Sequence, residues 1–139
     1  MSTATQSETG STSRTGNTTR LIFGVVAIIH AVLVVTQPIL AGMSLEGNSG
    51  ALDLHYTNGM MIMTIAFLQV VAAVVWWKPG GGPSRAVVIS SVLLVMEISQ
   101  FLLGDHGSFA VHVPLGIIVL MGTLGAASMA FRMSTRRNR

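Results

Sequence analysis

Ala86-Val87-Val88-Ile89-Ser90-Ser91-Val92-Leu93-Leu94-Val95-Met96-Glu97-Ile98-Ser99-Gln100-Phe101-Leu102-Leu103-Gly104 holds one ionisable side chain, Glu97, in an otherwise uncharged stretch. A helix needs about 20 apolar residues to cross a bilayer, and backbone inside hydrocarbon must satisfy its own hydrogen bonds, so a run of this kind reads as a membrane-spanning helix. Three further apolar runs lie near 21–42, 57–77 and 109–131, and strand-like alternation competes with none of them. Half of the residues are hydrophobic and 9% are charged, which is membrane composition and not that of a soluble domain. The expected fold is all-α: an integral membrane four-helix bundle over 21–131. A Ser-, Thr- and Gly-rich tail, 1–20, reads as disordered, and 132–139 reads as a short basic tail. The late start and spanning length of the first run argue against a cleaved signal peptide.

The eight Lys and Arg residues fall at Arg14, Arg20, Lys78, Arg85, Arg132, Arg136, Arg137 and Arg139, all on one side of a four-span topology. By the positive-inside rule that side is the cytoplasm. Both termini and the 78–85 loop are therefore expected inside a plasma (inner) membrane. The 43–54 and 105–108 connections, with Glu46, Asp53 and Asp105, are expected outside. Topology also accounts for the high pI without nucleic acid as a partner. Trp76 and Trp77 beside Lys78 read as an interfacial belt. Lys78-Pro79-Gly80-Gly81-Gly82-Pro83-Ser84-Arg85 breaks helix at both ends and divides the chain into two helix pairs.

Those two pairs carry one message twice. Gln37-Pro38-Ile39-Leu40-Ala41-Gly42 leads to His55-x-x-x-Gly59, and Gln100-Phe101-Leu102-Leu103-Gly104 leads to His112-x-x-x-Gly116. The Gln-to-His spacing is 18 residues in the first copy and 12 in the second, so the alignment needs a six-residue loop insertion. A repeated helix pair brings two imidazoles to facing helices at one depth, the arrangement a metal or haem iron requires of two axial ligands. Each histidine lies at a helix start, where the dipole disfavours imidazolium and keeps the ring available as a ligand. Gly59 and Gly116 follow by one turn on the same face, removing bulk where a flat macrocycle would lie; small residues that let membrane helices approach are the alternative. Gln37 and Gln100 occupy matched positions, suited to hydrogen bonding across helices. Pro38 is expected to bend the first span, while Pro114, near a helix start, costs little.

Deeper in the bilayer stand His30 in the first span and Glu97 in the third. Ionisation there is costly, so both should face the bundle interior and find partners. The two spans run in the same direction and place the residues within about one turn of depth. They read as a hydrogen-bonded or ion pair, serving bundle specificity or a proton path. Leu93 aligns with His30 in the second copy, so His30 is a secondary candidate for a cofactor, as is His106 in the outer loop.

Gln100-x-x-Leu103-Gly104 followed by His112-x-x-x-Gly116 resembles the corresponding helix pair of the heme A synthases, whose two four-helix halves each hold a haem between histidines. The first copy is similar to a looser version of it, and the resemblance spans about 110 residues, one half of such an enzyme. It implies haem b held near the outer face by His55 and His112, with Gly59, Gly116, Gln37 and Gln100 around it. The family's first-half histidine is typically followed by Arg, but Tyr56 and Val113 follow here, and the outer cysteines are absent. With one half-module there is no second site for a substrate haem. The expectation is therefore a small cytochrome-like protein for electron transfer or haem handling, not an enzyme of haem synthesis. Two imidazoles filling both axial positions suit electron transfer.

Two alternatives stay open. One is a divalent-metal site at the outer face built from His55, His106, His112, Asp53 and Asp105. The other is a cofactor-free accessory subunit of a larger membrane complex. Beyond the lipid bilayer, a membrane redox partner and a homo-oligomer are compatible with either view. The nine methionines read as flexible packing and not as a copper(I) motif. No cysteine is present, which excludes disulfides, iron–sulfur clusters and thiolate-ligated metals. No Ser, His and acid cluster at one depth, and Gly80-Gly81-Gly82 lacks the Gly-Lys-Ser/Thr ending of a phosphate loop.

Overall fold

The computed structural model describes the backbone of residues 5–137 and the side chains of residues 14–132. These residues form four α-helices: α1 Thr5–Leu45, α2 Ala51–Trp77, α3 Ser84–Asp105 and α4 Phe109–Arg137. Each contains a stretch long and apolar enough to cross a membrane, of 32, 27, 22 and 24 residues in chain order. Each helix packs on two neighbours (α1 on α2, α2 on α3, α3 on α4, α4 on α1), and the backbones of the diagonal pairs stay apart. The four helices thus stand in a square, with an interior that only side chains can bridge. One end carries the α2–α3 connection with Arg14, Arg20, Lys78, Arg85 and Arg132; this is the basic end. The other carries His55 and His112; this is the histidine end.

The composition of the faces is that of a membrane bundle. Many large apolar side chains, such as Leu21, Val32, Phe67, Val95 and Met121, point away from the bundle and are half exposed or more. Most buried positions are instead small or polar: Ala27, Ala66, Ala73, Ala86 and Ala126, together with His30, Gln69, Ser90, Glu97 and Thr123. Lipid offers large apolar groups the same environment as a core does, so close approach of small residues and interhelical polar contacts do the packing.

Several expectations are corrected. The 1–20 tail is not a free segment over its described part: α1 continues back through it. Within it, Gly16 and Thr19 are buried and Arg20 donates from Nη1 to the Ala130 carbonyl at 2.8 Å. A helix once started gains one hydrogen bond per residue added, and here the added turns pack on the α2–α3 connection. Likewise the 132–139 tail is helical to Arg137; Asn138 and Arg139 lie outside the described residues, as do residues 1–4. Trp76 is not part of an interfacial belt. It is 2% exposed and stacks on Phe23 with ring centres 5.1 Å apart, whereas Trp77 is partly exposed with the Lys78 ammonium 4.3 Å from its ring centre. The six extra residues of the first copy are only partly loop: α1 runs further past Gln37 than α3 does past Gln100, and α2 starts earlier before its histidine. Pro114 sits in the second turn of α4, where its missing N–H leaves the Ala110 carbonyl without its helical donor.

Candidate functional site

At the histidine end, α2 and α4 each offer one imidazole to the interior. His55 lies in the second turn of α2, four residues later than a helix start at 55 would put it, and His112 lies in the first turn of α4, whose amide bonds the Ser108 carbonyl at 3.0 Å. The helices are diagonal partners, yet the ring centres are 6.3 Å apart, with 56° between the planes.

Two contacts recur at both histidines. His55 Nδ1 lies 3.1 Å from the Gln37 carbonyl, and His112 Nδ1 lies 2.9 Å from the Gln100 carbonyl. A carbonyl can only accept, so each Nδ1 carries the hydrogen and each Nε2 keeps its lone pair. Neither Nε2 has a hydrogen-bond partner among the described residues. This tautomer, with Nδ1–H held by a backbone carbonyl and Nε2 free, is the one that suits an imidazole to ligate a metal.

The glutamine side chains fold back over the glycines. A Cβ placed on Gly59 would sit 3.2 Å from Gln37 Nε2, and one on Gly116 would sit 2.7 Å from Gln100 Nε2. The space above each glycine is therefore taken by an amide, joined at Gly59 by the edge of Phe101. Both obstructions are the ends of flexible side chains. The amide oxygens, Gln37 Oε1 and Gln100 Oε1, are buried without a hydrogen-bond partner. Two imidazole lone pairs and two amide oxygens thus gather at one end of the interior, all of them acceptors.

Gly104 is a contributor that sequence reading quoted but did not assign. A Cβ there would meet the His112 ring at 3.0 Å, so its absence lets the ring reach the Gln100 carbonyl one turn back. Ala41 holds the same register position in the first pair, and the His55 bond is the longer of the two. Tyr56 packs on Phe101, ring centres 5.1 Å apart. Asn58 is buried and donates Nδ2–H to the Leu33 carbonyl at 2.9 Å, tying α2 to α1 below His55.

The second polar layer lies towards the bilayer middle and joins three helices. Gln69 Nε2 donates to Ser90 Oγ at 3.2 Å, Gln69 Oε1 lies 2.8 Å from His30 Nδ1, and His30 Nε2 lies 2.6 Å from Glu97 Oε1. All four residues are at most 3% exposed. Both ring nitrogens of His30 are engaged, so His30 has no lone pair to offer a second cofactor. Sequence reading paired His30 with Glu97 by depth but missed Gln69 and Ser90; polar residues amid the apolar runs of α2 and α3 were the signal.

The remaining candidates do not converge. His106 is exposed, and its Nδ1 bonds the Leu102 carbonyl one turn back in its own helix at 2.7 Å. Asp53 and Asp105 stand on the outer surface of the bundle end. Among the described residues no three His, Asp or Glu side chains are grouped so as to hold a metal ion, whereas zinc sites take at least three protein ligands. Set against models of known families, curated proteins and solved structures, the chain matches none.

Proposed function

We propose that this protein is a small membrane-embedded haem b protein, oriented with its basic end in the cytoplasm, in which His55 and His112 are the two axial ligands. The observation that carries the reading is the matched pair of imidazoles on diagonal helices, each with Nδ1–H committed to a glutamine carbonyl and Nε2 free. Two imidazoles bound through Nε2 on opposite sides of one metal at ~2 Å have ring centres about 6 Å apart, and the separation here is 6.3 Å.

The donor set fits such a group and the walls are adaptable. A macrocycle between the rings requires the Gln37 and Gln100 amides to swing off Gly59 and Gly116, a side-chain rotation without backbone change. No Lys or Arg among the described residues stands at this end, so the haem carboxyls would depend on amide N–H groups of the same two glutamines and on the first-turn N–H groups of α2 and α4. Held by His55 and His112, such a group would supply one-electron transfer. The chain's part is to hold the imidazoles in one tautomer and to exclude water. In this reading the two helix pairs are copies of one unit, and electron transfer or haem handling is the activity.

The test is the visible spectrum of detergent-purified protein from haem-supplied cells, oxidised and dithionite-reduced, with His55→Ala and His112→Ala alongside. A Soret band with sharp reduced α and β bands, lost or turned high-spin in either variant, is the expected result. A featureless spectrum from folded protein refutes it; stoichiometric zinc or copper in that sample would move the assignment to direct metal binding by the same two imidazoles.

A further inference from the structure

The midplane layer is a second site, independent of any cofactor at the histidine end. Its hydrogen bonds can be assigned one by one. Gln69 Nε2 is spent on Ser90, so Gln69 Oε1 is the acceptor and His30 Nδ1 carries a hydrogen. That leaves His30 Nε2 and Glu97 Oε1 at 2.6 Å. A contact this short between a nitrogen and a carboxyl oxygen needs one proton between them: with none, two lone pairs face each other. The proton can belong to either partner, as imidazolium beside carboxylate or as neutral imidazole beside carboxylic acid. Both forms leave the layer without net charge, which is what a bilayer midplane demands.

A network serving only as glue would close on itself, and this one does not. Glu97 Oε2 is buried and has no partner. The other unpartnered side-chain atoms buried among the described residues are Gln37 Oε1 and Gln100 Oε1, and the three share one half of the bundle. Gln100 follows Glu97 by three residues on the same face of α3, a rise of ~4.5 Å. Gln37 follows His30 by seven on the same face of α1. All three are acceptors, spaced from the midplane pair towards His55 and His112, and unpaired buried acceptors are the groups that ordered water satisfies.

The opposite direction is sealed. Towards the basic end the next layer is Phe23, Ala72, Ala73, Trp76, Ala86 and Ala130, an apolar cluster with the Phe23 and Trp76 rings in contact. Towards the histidine end there is also an apolar belt, formed by Val34, Ile62 and Val119. It is crossed on the α3 face by the single step from Glu97 to Gln100.

We propose that His30 and Glu97 form an exchangeable one-proton site at the bilayer midplane, reached from the histidine end past Gln100 and closed towards the basic end. Exchange keeps the layer without net charge: the carboxylic acid turns its O–H from His30 Nε2 to water on the Oε2 side, hands that proton over as the water returns another to the same carboxyl group, and turns back to close the short contact. The titratable groups buried against this layer are His30 from α1 and Glu97 from α3. From α2 it meets Gln69, and the buried positions of α4, among them Val119 and Thr123, bring no titratable side chain.

The test is infrared spectroscopy of the full chain in lipid nanodiscs, without added haem, on transfer from H2O to D2O. Wild type, Glu97→Gln and Gln100→Leu are compared. Glu97→Gln keeps an N–H donor for His30 Nε2 and so preserves the fold, and circular dichroism checks this. The expected result is a carboxyl signal that exchanges in wild type, is missing in Glu97→Gln, and exchanges at least tenfold more slowly in Gln100→Leu. A Glu97 signal that never exchanges, or one whose rate ignores Gln100→Leu, overturns the proposal. A featureless visible spectrum in the haem test leaves this site untouched, so the two readings fail separately.

Discussion

Replacing Gln69 with Leu tests whether the midplane layer holds the bundle together. Leucine is nearly as long, so no large void opens and the loss is the two hydrogen bonds, at 2.8 Å to His30 and 3.2 Å to Ser90. Measured interhelical bonds in membranes average about 0.6 kcal/mol and reach ~1.7, which puts two of them at roughly 1–3 kcal/mol. The second route to a magnitude is the buried His30 Nδ1–H left without its acceptor, a penalty of ~1–3 kcal/mol. Both routes describe one effect, and they agree near about 2 kcal/mol. The assay is reversible unfolding in bicelles, with Ser99→Ala as the control. The Ser99 hydroxyl bonds the Val95 carbonyl of its own helix at 2.9 Å, joins no two helices, and its loss should cost under about 0.5 kcal/mol. If Gln69→Leu is as mild as Ser99→Ala, the layer does not carry interhelical energy, and the hydrogen-bond assignment built on it falls.

Two further perturbations have signs that the packing decides. Ala in place of Gly inside a helix gains about 0.5–1 kcal/mol, while overpacking costs ~1–3 kcal/mol. At Gly59 the new Cβ meets Gln37 Nε2 at 3.2 Å and at Gly116 it meets Gln100 Nε2 at 2.7 Å. Because both obstructions are the ends of flexible side chains, Gly59→Ala and Gly116→Ala are both expected near neutral in a thermal melt and to weaken haem loading, read by circular dichroism and by haem titration. Gly16→Ala would raise stability if residues 14–20 were a helix free of contacts. With its Cβ 2.8 Å from the Gly80 carbonyl oxygen, backbone that cannot swing away, it should lower stability instead, and a thermal melt reads the sign.

The spans were legible because a bilayer imposes a length and an apolar composition that few other constraints can mimic. The pairing of His30 with Glu97 was legible for a related reason: two ionisable groups at one depth in parallel spans must meet or stay unsatisfied. Gln69 escaped because α2 runs the opposite way, so its depth relative to His30 depends on how far α2 begins before the apolar run, and α2 begins at Ala51 where 57 was expected. Trp76 escaped because Trp-Trp-Lys at a span end has two solutions. Position relative to Gly82 and Phe23 selects one ring for the core, and Phe23 is far from Trp76 in sequence. The glutamine carbonyls that orient His55 and His112 are backbone groups and leave no compositional mark; only the equal placement of glutamine in both copies pointed to them. The helical state of residues 14–20 was hidden for the opposite reason: Ser, Thr and Gly disfavour helix by themselves, and contacts of Gly16, Thr19 and Arg20 with the rest of the bundle override that.

The square arrangement gives the two polar layers a common physical origin. Neighbouring helices can be held by small residues in contact, but the backbones of α1 and α3 stay apart, as do those of α2 and α4. In lipid no hydrophobic force compresses a diagonal, because apolar side chains are as well placed outside the bundle as inside. Each diagonal is spanned by polar groups instead, and at its own depth: α1 to α3 by His30 and Glu97, α2 to α4 by the approach of His55 and His112. The first diagonal closes with a direct hydrogen bond of 2.6 Å. The second does not close, since both rings turn their N–H groups outward to glutamine carbonyls and present lone pairs to each other's neighbourhood. Two acceptors brought together in a low-dielectric interior repel unless a positive centre or a donor stands between them. In the proposed reading, a haem held by His55 and His112 would complete the α2–α4 diagonal near the bundle end.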